Sequence, residues 1–133
     1  MTVTFRPAIN VAACVFATLL LASGSAIADG KSLTGAEIKT TLSGARTTAQ
    51  LPNGAIFQVD FKPDGSMDGL IQSNFTNRSI SDHGTWRVEG DTMCRKWDKF
   101  RDGKDECYSM TMNGNQATFA NKSGETTTVN LVK

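Results

Sequence analysis

The sequence predicts a mainly β domain: a small antiparallel meander or barrel of seven or eight strands, with one short N-terminal helix and one disulfide. Three observations lead there. Beyond Gly44 the apolar residues recur at every second position, as in Phe57, Val59 and Phe61, which is the period of a strand with one buried face. Turn-forming runs such as Pro63-Asp64-Gly65, Gly90-Asp91, Asn113-Gly114 and Ser123-Gly124 break the chain about every 8 to 12 residues, the spacing of sandwiches and small barrels. Only Cys94 and Cys107 follow the N-terminal segment, and two cysteines so close in sequence read as one bridge in an oxidising compartment.

That compartment is read from the first residues. Arg6 is the sole charge before Asp29, the stretch from Ile9 to Leu21 is apolar, and Ala26-Ile27-Ala28 follows. A positive start, an apolar run and an A-x-A site are the parts of a secretory signal. The run is far shorter than the roughly 20 residues of a spanning helix. Residues 1–28 are therefore expected to be a cleaved signal peptide and 29–133 a single domain, periplasmic or secreted, with no stable membrane insertion after cleavage. Val11-Ala12-Ala13-Cys14 is no lipidation box, because the apolar run continues after Cys14 instead of ending before it.

Charge narrows the function classes. The 133 residues hold 14 Lys+Arg against 13 Asp+Glu, and loss of Arg6 with the signal leaves a neutral domain. Dedicated nucleic-acid binders carry a basic surplus, so no nucleic acid is expected as partner. A single histidine, His83, excludes a His-rich metal centre, and no cofactor is expected.

The elements follow in order. Thr34-Gly35-Ala36-Glu37 is a capping box, with Thr34 and Glu37 each satisfying the other's amide, and Leu33 and Ile38 flank it at staple positions. The helix should run from about residue 35 to residue 43, stopped by Gly44. Strands are expected over residues 46–51, 55–61, 67–72, 84–89, 92–99, 106–112, 116–120 and 126–132. Trp86 and Val88 should point inward. Residues 73–82 form the longest irregular stretch. Cys94 and Cys107 lie on the two arms around a charged tip, and a bridge between them requires that they face each other.

The run Gly84-Thr85-Trp86-Arg87-Val88-Glu89-Gly90-Asp91, then Cys94, Trp97 and Cys107-Tyr108, resembles a widespread group of small secreted proteobacterial proteins catalogued as a domain of unknown function. Leu33 to Ile38 and Pro63-Asp64-Gly65 fit the same group. The resemblance covers most of the domain, rests on structural motifs, and brings no chemistry with it. The general plan is also similar to the small periplasmic inhibitors of secreted metalloproteases. That likeness implies an N-terminal segment that enters a protease cleft, and nothing between Asp29 and Ser32 identifies one.

Catalytic constellations are hard to assemble from these residues. His83 and Asp82 are neighbours, so on a strand they face opposite ways and cannot form a relay. The acids are expected mostly in turns, at Asp64, Asp68, Asp91, Asp102 and Asp105, where carboxylates usually bond locally. Met110-Thr111-Met112 places two thioethers on one side of a strand, which reads as core filling before it reads as a copper site. The Asn-x-Ser/Thr triplets at Asn74, Asn77 and Asn121 matter only in a eukaryotic secretory route. The expectation is a non-enzymatic periplasmic binding or interaction module with an unknown protein or small-molecule partner, or alternatively an inhibitor of a secreted protease. A domain this small should leave little interior volume, which favours surface recognition. The candidate contact residues are Trp97, Phe100 and Arg101 on the charged tip and Phe75, Asn77 and Arg78 on the long loop, with Trp97 and Phe100 as exposed anchors.

Overall fold

The structure is a computed structural model that describes residues 30–133; the expected signal peptide lies outside the described residues. Nine strands and one α-helix form it: β1 (Lys31–Ser32), α1 (Gly35–Leu42), β2 (Arg46–Gln50), β3 (Ile56–Phe61), β4 (Ser66–Gln72), β5 (Ser79–Glu89), β6 (Thr92–Trp97), β7 (Asp105–Asn113), β8 (Gln116–Ala120) and β9 (Thr126–Val132), with a short 3-10 turn at Phe100–Gly103 before β7. Strands β2 to β9 pair antiparallel, each with the next, and β9 returns to β2 through Thr47↔Leu131. The result is a closed eight-stranded up-and-down barrel whose β2–β9 seam is paired from Arg46 to Thr48 only. β6 pairs with β7 only as far as Tyr108, and β1 occupies the wall beyond it through Ser32↔Thr111 and Lys31↔Met112.

The helix closes one end. Thr34 Oγ1 accepts from the Glu37 amide at 3.3 Å, as the capping box requires, and Asp91 Oδ1 on the β5–β6 turn accepts from Gly35 N at 2.8 Å. The reciprocal half of the box does not form, because Glu37 turns to Lys31 Nζ at 3.2 Å instead. The helix lies so close to that turn that a Cβ on Gly35 would sit 2.1 Å from the Gly90 carbonyl oxygen. Ile38 and Leu42, one turn apart, are fully buried against the barrel interior.

Several boundaries differ from expectation, and β6 stops at Trp97 instead of continuing to residue 99. β5 begins at Ser79, so residues 79–82 belong to the longest strand and the irregular stretch shrinks to 73–78. Polar residues hid it: Ser79, Ser81 and His83 face outward, while Asp82 points in and is 5% exposed. Asn113 ends β7, paired with Gln116, and the turn is Gly114–Asn115.

Alternation sorts the walls. Val59, Phe61, Met67, Trp86, Met93, Trp97, Met110 and Phe119 fill the interior; Met67, Met93 and Met110 are thus packing residues in the core. Cys94 and Cys107 are directly paired across β6 and β7 and form the disulfide, with Cα atoms 4.0 Å apart. The bridge sits on the outer wall, since their neighbours Met93 and Tyr108 face inward. No helix of the described residues is long and apolar enough to cross a membrane.

Candidate functional site

The end of the barrel opposite the helix carries the loops at residues 51–55, 73–78, 98–104 and 121–125. Half of this mouth is plugged by aromatic rings. Trp97 crosses from β6 to lie over Gly69 of β4, with ring centroids 5.4 Å from Phe100 and 6.0 Å from Phe57. Asp82 anchors the plug from inside β5: its Oδ2 accepts the amides of Lys99 and Phe100, both at 2.8 Å. Burial pushes this carboxyl up, but the amides of Phe100, Lys99 and His83 outweigh it and hold the group below its ordinary range.

The other half of the mouth is open. A cavity of about 600 Å³ runs inward between β2, β3, β7, β8 and β9. Ala49, Phe57, Val59, Phe61, Phe119 and Val129 form its apolar floor and walls, and the inward positions Thr47 and Thr127 add hydroxyl-bearing side chains along one side. The expectation of little interior volume is therefore corrected. The small residues at Thr47 and Ala49 create the space, because they are the inward positions of β2.

Charge enters the cavity from β6, β7 and the 3-10 turn. Glu106 is directly opposite Arg95 in register, yet its carboxylate is engaged elsewhere. Arg101 reaches it with Nε and Nη2, each at 3.0 Å, and the Tyr108 hydroxyl donates to its second oxygen. Burial works to raise Glu106, but the Tyr108 hydroxyl and Arg101 prevail and keep it ionised below the usual range. Tyr108 is pushed up, first by burial and then by its bond to Glu106. Arg101 holds its position in the left-handed region, φ 55°, followed by Asp102 at φ 56°; backbone of this kind in non-glycine residues costs free energy and concentrates at working sites. Arg95 is different. Its guanidinium stacks 5.0 Å from the Tyr108 ring centroid and 5.9 Å from that of Trp97. It makes no ion pair among the described residues, and its buried Nε has no hydrogen-bond partner among them.

The six sequence candidates separate accordingly. Arg101 lines the cavity. Phe75, Asn77 and Arg78 stand on the rim; Phe75 is 85% exposed, and Asn74 ties their loop to the Gly54 carbonyl at 3.1 Å. Trp97 is only 2% exposed and Phe100 is half-buried against it, so these two are the plug and not exposed anchors. The turn folds back into the barrel because Asp82 receives its amides. Sequence reading missed Arg95 and Tyr108. The signal was present: Met93, Arg95 and Trp97 alternate on one face, so an inward Trp97 makes Arg95 inward too.

Elsewhere the chemistry is sparse. His83 lies on the outer wall against Asp68, which also takes Lys62 Nζ at 2.6 Å. Lys62 and then His83 hold Asp68 below the ordinary carboxylate range. A shallower depression of about 320 Å³ lies outside the barrel over the disulfide, between Glu89 and Lys122. β1 bonds to the wall as far as the amide of Leu33, which donates to the Met110 carbonyl at 2.9 Å. Compared with protein-family models, curated proteins and solved structures, the chain finds no match.

Proposed function

We propose that this chain is an exported, non-catalytic binding barrel that takes one small ligand in the open half of its mouth. The observation that carries this reading is the cavity of about 600 Å³ in the barrel mouth, where Ala49, Phe57, Val59, Phe61, Phe119 and Val129 form an apolar surface with polar side chains beside it. Small-molecule sites occupy roughly 300 to 1,000 Å³, and barrel mouths are one of their usual places. Eight-stranded barrels have interiors just wide enough to be filled by side chains or to hold one small ligand. Export is supported by the signal-like first 28 residues and by the disulfide. Binding without catalysis is supported by the position of His83, on the wrong side of the wall for the cavity. The protease-inhibitor reading has less behind it, because its N-terminal segment would have to peel away from β7.

The test uses a neutral apolar fluorophore, N-phenyl-1-naphthylamine, whose emission rises out of water. The parent domain should bind it near one equivalent. Ala49→Phe should fill the cavity and weaken binding at least about tenfold, the effect of losing some 1.4 kcal/mol, while circular dichroism shows an intact fold. Equal binding by parent and folded variant would place the ligand elsewhere and end the reading.

A further inference from the structure

The cavity has one feature that a purely apolar ligand would leave unused. Arg95 lines it as a cation with no ion pair among the described residues, beside an arginine that is paired with Glu106. We infer that the ligand is a small organic monocarboxylate with a flat apolar body, its carboxylate received by the Arg95 guanidinium and its body lying against Phe57, Phe119 and Val129. The inference rests on the barrel-mouth reading and deepens it.

The argument begins with cost. A guanidinium taken partly out of water loses hydration, and a buried donor left unsatisfied is expensive. Here the Nε is buried and unpartnered, and the stacking on Tyr108 and Trp97 offsets only part of that loss. Glu106 faces Arg95 across β6 and β7 and would be the obvious partner. Its oxygens are instead bonded by Arg101 and Tyr108, Arg101 from a left-handed backbone conformation. The stacking also fixes the guanidinium plane against two rings, which leaves its fork preset for a planar, two-oxygen acceptor.

Charge balance chooses between anions. Arg101 is paired with Glu106, and Glu125 accepts from the Asn121 amide, which leaves Arg95 as the cavity cation with no ion pair among the described residues. One added negative charge matches the single unpaired cation. A dianion such as a phosphate monoester would bring its second charge close to Glu106 without a partner. The walls select the body: aromatic rings and a valine on one side, threonines on the other, with no long channel through the helix-closed end.

The experiment is calorimetric titration of the disulfide-intact domain with 2-naphthoate, its neutral isostere 2-naphthamide, and 2-naphthyl phosphate. The expected result is that naphthoate binds at least about tenfold tighter than naphthamide, the worth of one charge-assisted hydrogen bond, and tighter than the phosphate. In Arg95→Met the two uncharged-site affinities should become equal, while N-phenyl-1-naphthylamine binding persists. In Arg95→Lys part of the preference should return. The Arg95 Nε–H resonance should move with naphthoate and not with naphthamide. Equal binding of naphthoate and naphthamide by the parent overturns the carboxylate assignment and leaves the cavity reading standing. Tighter binding of the phosphate overturns the monoanion assignment. Failure of all three ligands together with the neutral fluorophore overturns both.

Discussion

Replacing Gly69 with alanine tests whether the aromatic plug is as tightly built as its geometry requires. Gly69 faces inward from β4, and a Cβ there would lie 2.6 Å and 2.7 Å from the outer ring atoms of Trp97 and 3.2 Å from Phe100. The indole is a rigid plate held by Phe57 and Phe100, so it cannot retreat without disturbing both. Overpacking of a filled core costs about 1–3 kcal/mol. The lost flexibility of the unfolded chain returns about 0.4–1 kcal/mol, because the strand conformation of Gly69 suits alanine. The net expectation is a loss of about 1–2 kcal/mol, read as a drop of the urea midpoint at unchanged slope. Trp97→Phe removes the clashing ring atoms, so the same alanine should cost almost nothing in that background, with a coupling of about 1–2 kcal/mol between the two sites. Gly69→Ala that is as stable as the parent, with or without Trp97, would show that the indole does not occupy the space over β4.

Two further outcomes follow from the same interior. Asp82 is held below its ordinary value of 3.8 by the turn amides, so its contribution to stability is complete above that value and disappears as pH falls through the lower folded value. Acid titration followed by circular dichroism should show a loss of stability on that limb that is absent in Asp82→Asn, and an unchanged limb would deny the anchor. Reduction of Cys94–Cys107, or Cys94→Ala with Cys107→Ala, reopens a loop of sequence separation 13 and should lower stability by about 3 kcal/mol; thermal melts with and without reductant measure it, and coincident melts would mean the bridge does not constrain the unfolded chain.

Much of the fold was legible because local signals agreed. The cap at Thr34, the two-residue periods of β3 and β5, and the turns at Pro63-Asp64-Gly65 and Gly90-Asp91 each specify an element without help from the rest. Closure of β9 on β2 was less accessible, since nothing in Arg46–Gln50 or Thr126–Val132 names its partner. The start of β5 was obscured for a definite reason. Its inward position is the carboxylate of Asp82, which breaks the apolar alternation that marks a strand, and the carboxylate is tolerated only because two amides from a distant turn meet it. The same turn misled the site reading. Trp97 and Phe100 stand in a run of charges that reads as a solvated tip, whereas a tertiary bond from Asp82 draws them inside.

Chain length was a poor guide to the cavity because it averages over an interior that is uneven. The aromatic mass of the mouth is concentrated on one side: Phe57, Trp97 and Phe100 meet over Gly69, where the absent side chain lets the indole lie flat. The strands on the other side present Thr47, Ala49 and Val129, whose side chains reach only a short way in. A barrel closed by eight strands has one circumference whatever its side chains, so packing three rings into one half leaves the other half unfilled. Arg95 stands on the boundary, its guanidinium between Trp97 of the filled half and Tyr108 of the open one. The plug and the cavity are thus one arrangement. Displacing the plug, as Gly69→Ala would, should move the Arg95 stack with it, so that the stability loss and a change in naphthoate affinity arise together; a variant that lost stability while keeping the parent's affinity would separate them.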